Sequence, residues 1–73
     1  MLEKQLYELF SERITNEDEI TYVGYGIKDT RTNYVIRDIT SILNKAKELL
    51  EILNKNNISS EHFVDIVEDF IST

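Results

Sequence analysis

The chain contains no cysteine, no proline and no tryptophan, and it has one histidine and two glycines. Without cysteine there is no disulfide, no thiolate zinc cluster and no cysteine nucleophile. With no proline, and glycine only at Gly24 and Gly26, no interdomain linker is visible. Those two glycines lack the third glycine, the following helix and the lysine of a phosphate loop. No window approaches the roughly 18 consecutive apolar residues of a membrane span. No signal-peptide pattern opens the chain. A cytosolic protein that does not engage membranes is expected. Bases are also scarce: 14 acids face 8 bases, for a formal net charge of −6. That argues against a module that holds nucleic acid through phosphate contacts.

What is present fits one small domain over residues 1–73, with 41% apolar and 30% charged residues. Below about 70–80 residues a single core rarely supplies more than roughly 3–5 kcal/mol. An enclosed catalytic cleft is hard to build at this size, so the expectation is no enzyme, no catalytic residue and no cofactor. Charge is segregated along the chain. Residues 1–20 hold six acids and two bases, residues 21–47 two acids and five bases, and residues 48–73 six acids and one base. Opposite charges of this kind solvate a surface, or make it dipolar enough to dock a partner or a second copy.

Residues 39–55 read as a helix. Ile39, Ile42, Leu43, Ala46, Leu49, Leu50 and Leu53 lie on one stripe. Asp38 or Thr40 can accept a bond from a first-turn N–H. The run Asn54-Lys55-Asn56-Asn57 ends the helix, because Asn tolerates the left-handed conformation. Residues 59–72 read as a second helix, with Phe63, Ile66, Val67, Phe70 and Ile71 on its stripe and Ser59 as N-cap. Ile58 and Phe63 stand at the positions of a hydrophobic staple. Residues 1–38 read as a meander. Ile20–Ile27 and Tyr34–Arg37 are rich in β-branched and aromatic residues, and the polar run from Asp29 to Asn33 turns between them. Thr21, Val23, Tyr25 and Ile27 share one face of the first strand; Tyr22 and the two glycines share the other. Such glycines mark a bulge or a close approach of another element.

The N-terminal stretch is ambiguous. Leu2, Leu6, Leu9 and Phe10 fit a helix stripe, and Leu6–Phe10 fits a strand leading to Ile14. A lone hairpin is marginal, and a third strand would give two helices a sheet to pack on. The expected fold is therefore α+β: a small antiparallel meander of two or three strands followed by two antiparallel helices on one sheet face.

The series Tyr25-Gly26-Ile27, Asp38-Ile39-Thr40 and Ser59-Ser60-Glu61-His62-Phe63-Val64-Asp65-Ile66-Val67-Glu68-Asp69-Phe70 resembles a family of short uncharacterised proteins of Clostridia-like bacteria. The resemblance covers residues 20 to 71, with Phe63 where that family has Leu. It implies the strand meander, with an N-terminal strand, and it implies no activity.

His62, Asp65 and Asp69 fall within about a 60° arc of the last helix. His62 reads as a boundary residue over the core, as a pH-sensitive contact with either aspartate, or as a metal ligand, although one imidazole and two carboxylates do not close a zinc shell. Asp65, Glu68 and Asp69 read as a solvated acidic edge. Tyr22, Tyr25 and Tyr34 lie on the hairpin near Lys28, Arg31 and Arg37. These are residue types of protein–protein hot spots and also of single-strand stacking surfaces, the second use being disfavoured by the acidic remainder. The reading is a non-catalytic interaction or regulatory protein. It would bind an unidentified protein or a second copy of itself through Tyr22, Arg31, Tyr34 and Arg37, with His62, Asp65, Glu68 and Asp69 as a second patch. The alternatives are an acidic nucleic-acid mimic, which needs one continuous negative face, and a metal-dependent enzyme built on His62.

Overall fold

In the computed structural model, which describes residues 5–72, three strands precede two helices. β1 spans Tyr7–Thr15, β2 Thr21–Asp29 and β3 Val35–Thr40; α1 spans Leu43–Lys55 and α2 Phe63–Ser72, preceded by one 3₁₀ turn at Ser60–His62. The sheet order is β1-β2-β3, all antiparallel, and both helices pack on one side of it. This is the expected α+β fold. The N-terminal ambiguity resolves to a strand; Leu2, which the helical alternative used, lies outside the described residues.

β1 and β2 pair without a break, Tyr7 opposite Asp29 and Thr15 opposite Thr21. The hairpin turn is local chemistry: the Asn16 side-chain oxygen accepts the N–H groups of Asp18 at 2.9 Å and Ile20 at 3.1 Å. Alternation then assigns the two faces. Tyr7 and Leu9, with Ile27 and Asp29 opposite, face the helices, and the same face continues through Ser11, Arg13, Thr15, Thr21, Val23 and Tyr25. The other face carries Glu8, Phe10, Glu12 and Ile14 with Tyr22, Gly24, Gly26, Lys28 and Val35.

β3 is irregular. Ile27 opposes Ile36 while Tyr25 opposes Thr40, so Arg37, Asp38 and Ile39 bulge opposite Gly26, with Asp38 at φ 51°. The glycines are the imprint of this bulge. A Cβ on Gly26 would stand 2.5 Å from the Ile36 carbonyl oxygen and from the Phe10 ring; one on Gly24 would stand 2.5 Å from Ile14 Cδ1 and 2.7 Å from Asp38 Oδ1. Both expected uses of the glycines, bulge and close approach, occur together.

The bulge also moves the start of α1. Ile39 and Thr40 end β3, and the helix begins at Leu43 instead of Ile39. Ile39 still packs on the core, which is why helical spacing included it. Asp38 is not a cap: its carboxylate accepts the Tyr22 hydroxyl at 2.9 Å. Thr40 Oγ1 accepts the Ile42 N–H at 3.1 Å, just ahead of the helix, whose N-cap residue Ile42 makes no side-chain bond. At the other end Asn57 is left-handed, φ 49°. The Ile58 N–H reaches the Leu53 carbonyl at 3.1 Å and the Asn57 N–H the Asn54 carbonyl at 3.2 Å, a Schellman ending. The chain then turns at once, and the His62 N–H bonds to the Ser59 carbonyl at 3.0 Å. That three-residue ring makes the first turn 3₁₀ and delays α2 to Phe63. Ser59 holds the N-cap position of that turn, without a side-chain bond.

The core is Tyr7, Ile27, Leu49, Leu53, Phe63 and Val67, with Leu9, Ile36, Ile39, Leu50, Ile58, Ile66 and Phe70 around it. The helices cover the sheet only toward its Tyr7–Asp29 end. Beyond Leu9 the helix-side residues Ser11, Arg13, Thr15, Thr21 and Val23 are exposed. The hairpin tip therefore projects past the core.

Candidate functional site

The densest polar cluster ties the two layers together. Arg31 lies in the β2–β3 turn. Its Nη2 donates to the Tyr7 hydroxyl at 2.7 Å and to the Ile58 carbonyl at 2.8 Å, and its Nε donates to Asp29 Oδ1 at 3.1 Å. The Tyr7 hydroxyl donates to the same Ile58 carbonyl at 2.6 Å, and the guanidinium stacks 5.1 Å from the Tyr7 ring centre. Tyr7 and Asp29 are fully buried. Burial opposes ionisation of Asp29, but the Ser60 hydroxyl, the Arg31 backbone N–H and the guanidinium outweigh it and hold the carboxyl below its ordinary range. Burial pushes the Tyr7 phenol up. Around the edge of β1, the Asn54 amide accepts the Tyr7 N–H at 2.9 Å and donates to the Tyr7 carbonyl at 3.1 Å. Strands β1 and β2, the β2–β3 turn, α1 and the connection to α2 thus meet at one clasp, in which the Arg31 guanidinium is bonded within the fold.

The helix-free face is arranged differently. Phe10 and Ile14 lie over the strip left by Gly26 and Gly24. Arg37 reaches across from the bulge and forks onto Glu12, Nε to Oε2 at 2.9 Å and Nη2 to Oε1. This bond holds the Glu12 carboxyl below its usual range. The Asp38 carboxylate raises the Tyr22 phenol by accepting its hydrogen bond, which favours the neutral form. Glu8, Leu9, Phe10, Lys28 and Val35 line a shallow groove of about 230 Å³.

The residues singled out from the sequence therefore divide. Tyr22 and Arg37 share the helix-free face. Arg31 and Tyr34 stand beside the helices, where Tyr34 meets Phe63 edge-on with 6.3 Å between ring centres and remains 55% exposed. His62, Asp65, Glu68 and Asp69 are exposed on the 3₁₀ turn and α2. Among the described residues no group of three or more His, Asp or Glu side chains converges as a metal site requires. The acids do not share one face either. Glu8 and Glu12 are on the helix-free side, whereas Glu48 and Glu51 belong to α1, Glu61 to the 3₁₀ turn and Asp65, Glu68 and Asp69 to α2. Among the described residues no helix is long and apolar enough to cross a membrane.

Sequence reasoning passed over Tyr7, Glu12, Asp29 and Asn54. Asp29 and Arg31 carried a local signal, an acid two residues ahead of a base in a turn. The partners of Glu12 and Asn54 lie 25 and 47 residues away and left none.

Comparison with curated proteins and with solved structures finds no match. A family model matches residues 3–73, and its description is a family of unknown function (DUF6514). The expected membership of an uncharacterised family is met at that level. With all but its first two residues inside the match, the chain belongs to this DUF6514 family of unknown function.

Proposed function

We propose that this chain is a small, non-catalytic protein-interaction or regulatory module whose working surface is the helix-free face of the sheet. One observation carries the reading: the helices cover one side of the sheet only, and the other side presents Phe10, Ile14, Val35 and Tyr22 among fixed charges. Glu12 and Arg37 are held in a forked pair, and Tyr22 is held by Asp38. Such side chains lose little freedom when a partner covers them, and aromatics beside arginine are the composition of binding hot spots. The buried ionisable groups, Asp29 and Tyr7, serve the clasp.

Capture from the native host tests this, with Val35→Glu as the control. Val35 is exposed and is flanked by the groove. The variant should keep the wild-type melting temperature and lose at least tenfold of the captured partner. Equal capture by both chains would remove the helix-free face as the working surface.

A further inference from the structure

The surface proposed above is extended by a second feature, the free edge of β1. Backbone groups in an antiparallel ladder point alternately toward the partner and away from it. The Asn16 N–H points inward, to Ile20, and the Tyr7 N–H points outward, to Asn54. Alternation from these two ends turns the N–H and C=O groups of Leu9, Ser11, Arg13 and Thr15 outward. Asn54 fills the edge at Tyr7. From Leu9 onward, the outward groups take no hydrogen bond from another described residue. β1 has no bulge along its nine residues. It is a continuous, regular edge of the kind that templates another strand.

We propose that this edge pairs with β1 of a second copy, antiparallel and centred on Ser11, so that two three-stranded sheets become one of six. A second copy fits because β1 can oppose itself without a like-charge clash, and charge selects the register in which it does so. Centring on Phe10 would set Glu8 directly against Glu12 of the second copy. Centring on Glu12 or on Arg13 would set that residue against itself. Centring on Leu9 would press Ser11 of the second copy onto Tyr7, where Asn54 already sits, and leave only the Leu9 pair bonded, whereas centring on Ser11 brings only the strand end Thr15 there. Like charges directly opposed are destabilising. Centring on Ser11 opposes Ser11 to Ser11, Leu9 to Arg13, Phe10 to Glu12 and Glu8 to Ile14, with no like pair. Glu12 is in addition neutralised by its own Arg37. The outward groups of Leu9, Ser11 and Arg13 then exchange bonds with those of the partner strand, and the ladder stops at Asn54. The two helix-free faces become one continuous surface. The inference rests on the interaction reading, which it deepens by naming a second copy as one partner.

Ser11 is exposed, so its substitution leaves the core alone. Sedimentation of wild type should show a dimer. S11K sets two ammonium groups against each other at the centre of the ladder and should weaken the dimer at least tenfold, as should S11E. An equimolar mixture of S11K and S11E should recover it, because only this register places the two side chains in opposition. Circular dichroism checks each fold. Ser11→Cys supplies an independent measurement in a chain without cysteine: the opposed Cα atoms would be about 5.5 Å apart, within disulfide reach. Mild oxidation should link this variant and not Thr21→Cys. A wild-type chain that stays monomeric at several hundred micromolar overturns the pairing. So does a dimer indifferent to S11K, or a mixture that stays monomeric. None of these outcomes touches the Val35→Glu comparison, which judges the interaction reading separately.

Discussion

β1 and β3 are both edge strands of the same sheet, and they present opposite solutions to the same exposure. β3 is six residues long and is interrupted by the bulge at Arg37–Ile39, with Asp38 left-handed and its carboxylate turned back to Tyr22. An edge broken in this way cannot accept a regular strand. β1 is nine residues long, unbroken, and closed only at Tyr7 by the side chain of Asn54. Its charges, Glu8, Glu12 and Arg13, do not cap the backbone. They select which register a second strand can take. The difference teaches that a small domain with helices on one side can blunt one edge of its sheet and leave the other regular and open.

The comparison breaks most severely at Gly26. The bulge of β3 closes on this residue, and an added Cβ meets a backbone carbonyl that cannot swing away. Gly26→Ala should destabilise the fold by about 3 kcal/mol, the upper part of the range for overpacking. At this size that is about 12–24 °C in Tm. Gly24→Ala should cost far less, because its nearest atoms are the ends of the Ile14 and Asp38 side chains. Thermal melts of the two variants check the ranking. Equal losses would mean that the bulge is not rigidly docked on β2.

Acid should loosen the β3 side first. The Asp29 carboxylate accepts the Arg31 backbone N–H at 2.9 Å and the Arg31 Nε at 3.1 Å, so its charge anchors the turn into β3. Its folded-state carboxyl is held below the ordinary value, so its contribution is fully present above about pH 4 and is lost as pH falls through the depressed folded value. Asp29→Asn removes the charge-assisted bonds to Arg31, which should cost about 2 kcal/mol at neutral pH. It should also flatten the acid limb of a urea-midpoint profile between pH 6 and pH 2. An unchanged limb would assign the acid response to other carboxylates.

How much of this was legible in the sequence follows the range of each interaction. Strands β2 and β3, the left-handed ending at Asn57 and the segregation of faces on β2 are set by neighbours within a few residues, and the pattern of the chain shows them; β1 stays open between strand and helix, because Leu6, Leu9 and Phe10 fit both spacings. Helical spacing ran through Ile39 because one apolar residue serves a strand end and a helix start equally well. The bulge decides between them, and it depends on the glycines of a different strand. The glycine pair signalled that something comes close, but not that it is Asp38 and the Ile36 carbonyl. Tyr7 reads as one more strand aromatic, and Asn54 as a helix terminator. That these two meet, and that their meeting shuts one end of an edge, is a tertiary fact with no local trace. Arg31 was legible as an important arginine. Its bonds to Tyr7 and Ile58 place it in the clasp.

The smallest effect falls on Asn54, and it sharpens the contrast between the two ends of β1. Asn54→Ala removes both bonds to Tyr7. Because that edge is only partly buried, water can take them over, and the loss should be about 1 kcal/mol. Amide exchange resolves what the melting curve barely sees. In a wild-type sample dilute enough to be monomeric, the Tyr7 amide should exchange slowly and those of Leu9, Ser11 and Arg13 quickly, although all four point the same way. In Asn54→Ala the Tyr7 amide should join the fast group while the inward amides of Phe10 and Glu12 keep their protection. At concentrations where the dimer forms, Leu9, Ser11 and Arg13 should slow in both chains. A Tyr7 amide that stays slow in the variant would show that something other than Asn54 closes this end, and the edge would then be shorter than the Ser11-centred ladder requires.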